Sequence, residues 1–332
     1  MIITKTPFRM SFFGGGTDIE SFFREHGGAV LSTTIDKYCY VTARHLPKFF
    51  DYSSEFVYSH IERVNSLDSI EHPAIRNAMK MLDMHEIRLN YEADLPARSG
   101  LGTSSSFAVG MLNAFHSLKG RFADKKQLAE EAIYLERILC AEVGGWQDQV
   151  AAAYGGLNKI TFNGNGFEVY PIIISPERKR QLNDSLMVFF TGFTRISSDI
   201  QNANVQTYGE KITQLLEMKS LVDDAERLLT DKNDDLDEFG RLLNHTWQLK
   251  RKTGSAVSTS DIDAIYETGI KAGALGGKLL GAGGGGFMVF YVPVEKRESL
   301  KAAMKNLTYI PFEFETEGTR VLYYTAEEYS FD

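Results

Sequence analysis

Apolar and polar positions divide this chain into strands and helices almost throughout. Residues 2–13 (IITKTPFRMSFF) read as a strand interrupted at Pro7, and residues 28–42, rich in β-branched and aromatic side chains, as one or two more. Residues 48–66 carry no clear period and read as a short hairpin with loops. Helical spacing covers 69–84, and 87–91 is a further strand-like run. Phe107, Met111, Leu112, Phe115 and Leu118 then space a helix over 104–118, while Leu128, Ala132, Leu135 and Leu139 line one face of another over 124–142. Strand-like segments follow at 157–162, 167–174 and 186–191, and helical patterns at 199–252, broken at 231–235, and at 260–272. A strand at 287–292, a helix at 295–307 and short strands at 309–314 and 320–324 close the chain. The polar stretch containing Pro176 is the predicted boundary between a domain over 1–178 and a domain over 179–332. Strands alternating with helices predict an α+β fold.

The segment from Leu95 to Ser106 stands out because it joins a strand-like run to a helix through two glycines. Gly100 and Gly102 let the backbone turn tightly and approach a ligand closely. The hydroxyls of Thr103, Ser104 and Ser105 fall at the N-cap and first turn of the helix, beside the backbone of Gly100, Leu101 and Gly102. Free amides, the positive end of the helix dipole and three hydroxyls converge there, which suits an anion, phosphate above all. A plain Gly/Ser turn ahead of a capped helix is the alternative. A Walker loop would need a lysine where Thr103 stands, and Ser105 takes the third glycine position of G-x-G-x-x-G. Gly281, Gly283 and Gly286 do satisfy that pattern, but a strand follows them where a dinucleotide fold needs a helix, so the match is discounted.

Three other features ask for a partner. Arg9 lies inside an apolar run, where it either reaches the surface or faces a polar site at the sheet's end. Gly14, Gly15 and Gly16 before Thr17 and Asp18 read either as backbone that a ligand touches or as a loose turn into a capped helix. Glu136 adjoins the apolar face of its helix, and Asp148 opens a short Ala-rich helix after Gly144-Gly145. On one continuous helix these two acids would stand about 18 Å apart, so the glycine break is what allows them to meet. Asp148 reads equally as an ordinary first-turn acid.

Composition narrows the class. With 43% hydrophobic and 24% charged residues, the chain resembles a globular enzyme. A net charge of −8, without extended blocks of Lys or Arg, argues against a nucleic-acid partner. Two cysteines and seven scattered histidines form neither a disulfide framework nor a transition-metal spacing. No signal-peptide core or membrane-length apolar window occurs, which predicts a cytoplasmic protein without a membrane partner.

Taken together, these segments resemble the kinase superfamily of galactokinase, homoserine kinase, mevalonate kinase and phosphomevalonate kinase. The motif P-x-x-x-G-L-G-S/T-S is matched by Pro96 to Ser104, and K-L-x-G-A-G-G-G-G by Lys278 to Gly286. Arg9 to Asp18 (RMSFFGGGTD) aligns without gaps to the galactokinase-type R-V-N-L-I-G-E-H-T-D, and Trp146 to Gln149 is similar to I-M-D-Q, with Glu136 at the same twelve-residue spacing. The FFGGGTD variant, the G-x-Q-D-Q run, Thr191-Gly192 followed by Arg195 and Ser197, and the AGALGGKLLGAGGGG block most resemble the heptose 7-phosphate kinase branch, and fucokinase-type domains share some of them.

The resemblance implies two domains, the first like the second domain of ribosomal protein S5, the second a ferredoxin-like α/β domain with added helices. It implies that Gly100 to Ser105 cradle the phosphates of ATP, that Ser104 and Glu136 hold Mg²⁺, and that Asp148 orients or deprotonates the attacking sugar hydroxyl. Arg9 would stabilise negative charge beside Asp148, while Gly15, Gly16, Thr17 and Asp18 would bind the sugar. Gly281, Gly283 and Gly284 would support the phosphate loop, and Arg195 or Lys159 would meet a remote sugar phosphate. The implied partners are ATP and a small sugar phosphate, on a monomer or homodimer. A kinase of an unphosphorylated sugar such as fucose, or a sensing relative without activity, are the alternatives.

Overall fold

The computed structural model of the chain describes residues 1–97, 99–192, 211–254 and 256–326. In chain order its first half contains β1 (Ile2–Phe13), α1 (Glu20–His26), β2 (Gly28–His45), β3 (Ser54–Val57), β4 (Ile61–Val64), α2 (Pro73–Met81), β5 (Ile87–Ala93), α3 (Thr103–Leu118), α4 (Lys125–Ile133), α5 (Gln147–Tyr154), β6 (Asn158–Asn163) and β7 (Gly166–Pro171). Its second half contains α6 (Pro176–Asp184), β8 (Leu186–Phe190), α7 (Ile212–Thr230), α8 (Asp237–Lys252), α9 (Ser260–Lys271), β9 (Gly276–Leu279), β10 (Phe287–Tyr291), α10 (Arg297–Ala303), β11 (Thr308–Ile310), β12 (Phe314–Glu315) and β13 (Arg320–Tyr324).

Among the described residues nine strands form the first sheet, in the order β13-β1-β2-β5-β3-β4, with β6 and β12 also pairing β2 and β7 pairing β6. β2 is a single strand, and it pairs antiparallel with β1 except for register shifts at Pro7/Phe8 and Ser11/Phe13. Proline cannot donate to the ladder, so the strand continues past it only by changing register. The shift at Pro7/Phe8 comes just ahead of Arg9, which pairs with Thr34 across the ladder. The second sheet is antiparallel with order β11-β8-β10-β9. With helices between β8 and β9 and between β10 and β11, this is the ferredoxin-like split βαβ order.

One core lies where α2, α3, α4 and α5 cover the first sheet, through Phe56, Met79, Leu112, Phe115 and Val150. A second core, with Phe8, Met10, Phe12, Phe13, Phe239, Leu243 and Val289, joins both sheets through α7 and α8. The third, around Trp247, Ile262, Phe290 and Leu300, belongs to the second sheet and its helices.

Several local expectations are corrected. Residues 124–142 are not one α-helix: α4 stops at Ile133 and a π-helical turn, Tyr134–Leu139, follows. The polar stretch at the expected boundary contains α6, started by Pro176 and capped by the Ser175 hydroxyl on the Arg178 amide. Gly276–Leu279 is a strand despite its two glycines. β12 and β13 return from the end of the chain to the first sheet, where β13 pairs with β1.

Candidate active site

The turn into α3 has the predicted shape but a different cap. Gly102 is the N-cap residue at φ +73°, and no side chain caps the helix. The hydroxyls go elsewhere: Ser104 and Ser105 donate to Glu136 Oε1 and Oε2 at 2.8 and 2.7 Å, and Ser106 donates to the Pro7 carbonyl at 2.9 Å. The first-turn amides are therefore not taken up by a capping side chain. Glu136, only 1% exposed, also accepts the Gln149 amide. The π-helical turn widens the helix by one residue, with the Cys140 amide bonded to the Leu135 carbonyl, and so places this carboxylate inward.

Arg9 does not reach the surface; it is 3% exposed and grips Asp148 with both arms of its fork, Nε to Oδ1 at 2.8 Å and Nη2 to Oδ2 at 2.9 Å. Its remaining Nη1 donates to the Gly100 carbonyl at 2.6 Å. Charge-assisted, bidentate bonds of this kind fix geometry as well as charge. A Cβ on Gly102 would stand 3.2 Å from Arg9 Cγ and 3.4 Å from Asp148 Oδ2, so the loop and the ion pair are in contact. Asp148 keeps a quarter of its side chain open to solvent (26%), which leaves it accessible to a substrate. Because Gln149, next to Asp148, donates to Glu136, the glycine break has brought the two acids to one site.

Asp18 is buried behind this pair. Its carboxylate accepts the Gly16 amide at 2.9 Å and the Gln147 amide at 3.2 Å. Burial first, then the charge of Asp148, pushes its carboxyl above the usual range. Gly15 is partly open, and a side chain there would begin 3.8 Å from both Ser11 Oγ and Gln147 Nε2. Ser11 Oγ and Gln147 Oε1 are buried without a hydrogen-bond partner. Neither carries a role in the sequence reading: a serine in a strand gives no signal, and Gln147 enters only as part of the G-x-Q-D-Q run. Thr17 differs from expectation: it is fully buried, 2.8 Å from the Gly14 and Ala29 carbonyls, and it locks the loop instead of facing the cleft.

Residues 69–156 match the family described as GHMP kinases N terminal domain, and residues 225–309 match GHMP kinases C terminal. The chain belongs to the GHMP kinase family. Among similar proteins, a D-glycero-alpha-D-manno-heptose 7-phosphate kinase of Campylobacter jejuni is 30% identical over 96% of this chain and 98% of its own. An L-fucokinase/L-fucose-1-P guanylyltransferase of Bacteroides fragilis is 32% identical over 61% of this chain and 22% of its own length. The crystal structure of a D-glycero-D-manno-heptose 1-phosphate kinase from Bacteroides thetaiotaomicron superposes with a TM-score of 0.79 at 25% identity, covering 98% of this chain and 100% of that one.

The remaining expected residues of this GHMP kinase divide. Gly281 backs the turn ahead of α3, since a Cβ on it would lie 2.4 Å from Gly100 Cα, and Gly286 does the same against the Ser99 carbonyl at 2.2 Å. Gly283 and Gly284 do not: they lean on Val257, through a would-be 2.7 Å contact and a 3.1 Å amide bond. Lys278 is buried and donates to the Ser11 and Phe12 carbonyls at 2.9 and 3.0 Å, which ties β9 to the end of β1. Lys159 is held by Asp223 and Glu226 at 2.6 and 2.7 Å, and so is already neutralised. Arg195 and Ser197 lie outside the described residues.

Lys250 is the further residue that sequence reading missed. It donates to the Gly281 carbonyl, and burial together with the charge of Arg9 presses its ammonium down to about 8, against the opposing pull of Asp18 and Asp148. For a cation, the donor set is hard oxygen. No three His, Cys, Asp or Glu side chains converge among the described residues. Ser104, however, is exposed and gives its hydrogen to Glu136, so its hydroxyl lone pairs are free for a hard divalent ion such as Mg²⁺. Among the described residues, no helix is long and apolar enough to cross a membrane.

Proposed function

We propose that this kinase transfers the γ-phosphoryl group of ATP to the anomeric hydroxyl of D-glycero-D-manno-heptose 7-phosphate, giving the 1,7-bisphosphate. The observation that carries the reading is the Arg9–Asp148 fork set directly against the uncapped start of α3. The α3 amides and the backbone of Gly100 to Ser105 would bind the nucleotide phosphates, and Asp148 would receive or align the acceptor hydroxyl. Arg9 holds Asp148 in one orientation and would neutralise part of the charge that spreads over the transferred group. Ser104 and Glu136 would hold Mg²⁺, which when bound supplies charge neutralisation at the phosphates. Asp18, Ser11 and Gln147 offer acceptors and donors to sugar hydroxyls around the Gly15 gap, and Gly15 and Gly16 leave room for a chain longer than galactose. The full-length likeness to the Campylobacter heptose 7-phosphate kinase supports the substrate.

A second reading, phosphorylation of an unphosphorylated sugar such as fucose, draws on the fucokinase likeness and on Lys159, whose charge is taken up by two acids and is not free for a sugar phosphate. Initial rates with ATP and Mg²⁺ on heptose 7-phosphate, fucose and galactose separate the two. Heptose 7-phosphate is expected to exceed both free sugars in kcat/KM by two orders of magnitude or more, and equal or faster turnover of a free sugar overturns the first reading.

A further inference from the structure

The Gly100–Ser105 loop of this enzyme contains no lysine, and each of the three guanidinium nitrogens of Arg9 already donates to Asp148 or to the Gly100 carbonyl. A transferring phosphoryl group nevertheless needs a cation close to it. The structure holds one in reserve on the other half of the molecule. Lys250 sits in the last turn of α8 and reaches across to the Gly281 carbonyl. Gly281 in turn packs against Gly100, the residue at which the loop begins. The ammonium therefore stands beside the contact between Gly281 and Gly100, within the electrostatic reach of Arg9 from β1, Asp18 from the glycine turn, Asp148 from α5 and Lys278 from β9.

Its partners are too few for its charge. An ammonium has three donors, and among the described residues the hydrogen bond to Gly281 is the one it makes. Lys278, its buried neighbour, differs in this respect, being spent on two β1 carbonyls. Lys250 is also partly accessible, whereas Lys278 is enclosed. Burial makes a charged lysine at this position costly in the free protein, Arg9 adds to the cost and Asp18 and Asp148 offset part of it, and an incoming phosphate would relieve the rest.

We infer that Lys250 is a phosphate-contacting residue of the transfer site, which supplies from α8 the cation that the glycine loop lacks. The inference rests on the kinase reading given above. The phosphate it meets comes either from the γ position of ATP, which the proximity to Gly100 favours, or from the sugar phosphate.

Binding measurements on the full-length protein distinguish these. Calorimetric affinities for ADP, for a β,γ-imido ATP analogue and for heptose 7-phosphate are compared between wild type, Lys250→Met and Lys250→Arg, with melting curves as a control for folding. Lys250→Met is expected to weaken the triphosphate analogue about tenfold or more while leaving ADP within about twofold, and Lys250→Arg to recover most of the loss. Selective loss of the sugar phosphate instead assigns the contact to that phosphate. Equal losses on ADP and the analogue, or no loss on any ligand, overturn the inference while the kinase reading stands. Should wild type bind neither nucleotide, both fall. If Lys250→Met melts before it can be titrated, Lys250→Gln and Lys250→Arg carry the same comparison.

Discussion

At the level of single residues, the site works by holding charges that would be costly apart. Arg9 is a buried guanidinium whose two arms close on Asp148 and whose third donor is fixed by Gly100. Replacing one partner leaves the other unpaired, so the informative change keeps the shape and removes the charge. Asp148→Asn is expected to lower kcat by on the order of 10² or more with nucleotide affinity nearly intact; steady-state rates beside an ADP titration decide it, and an unchanged kcat refutes the assigned role. Lys250 adds a pH signature. Its ammonium in the free enzyme loses its proton at about 8, so kcat/KM for ATP is expected to fall as pH rises through that value. Lys250→Arg stays charged and should carry the plateau to higher pH; an identical alkaline limb in both enzymes removes Lys250 from the profile. Arg9, Glu136 and Asp148 draw notice in the sequence as a charge in an apolar strand and two acids flanking a glycine break, each with a plain structural alternative, and it is the family resemblance that joins them. Lys250 draws none, because a lysine within Lys250-Arg251-Lys252 at a helix end looks like a solvated face until the fold brings Gly281 to it. Thr17 misled in the other direction, since a threonine beside three glycines looks exposed and is in fact the residue that locks them.

At the level of elements, the site depends on two loops pressed backbone to backbone. Gly281 has φ +79°, and any side chain on it meets Gly100, so Gly281→Ala must displace the proposed phosphate loop or the turn that backs it. An increase of about tenfold or more in the KM for ATP is expected, together with a lower melting temperature. Gly120 is the control: it too has positive φ, +65°, but nothing lies within 4 Å of its would-be Cβ. Gly120→Ala should cost about 1 kcal/mol of stability and leave the KM unchanged. Comparable kinetic losses in the two variants would show that the contact with Gly100 is unimportant. Most elements were readable from periodicity, including β1, β5, α3 and the last helix of the sheet pair. Those that were not share a physical cause. β9 is buried between α8 and β10 and needs no side-chain alternation, α6 is a polar surface helix without an apolar stripe, and the π-helical turn differs from an α-helix only by one residue of spacing.

For the whole molecule, the end of the chain is part of its beginning. β13 pairs with β1 and β12 with β2, while Thr319 between them bonds Thr6 at 2.8 Å, accepts Asn113 at 3.2 Å and gives its amide to Ala152. Tyr38, on β2, also donates to Glu315 at 2.5 Å. Sequence reading assigned 320–324 to the second domain because pairing across more than 300 residues leaves no local trace. The core of Phe8, Met10, Phe12 and Phe13 with Phe239, Leu243 and Val289 couples the two sheets in the same way. A chain ended after Phe312 loses β12, β13 and the partners of Thr6 and Asn113, each such buried polar group costing about 1–3 kcal/mol when left unsatisfied. The loss lies in the first sheet, yet the shared core passes it to the second. A single calorimetric transition is therefore expected in both proteins, shifted down by on the order of 5 °C or more in the truncated one. Two separated transitions, or a truncated protein that melts like the full chain, would show that the two sheets are energetically independent and that the returning strands only decorate the first.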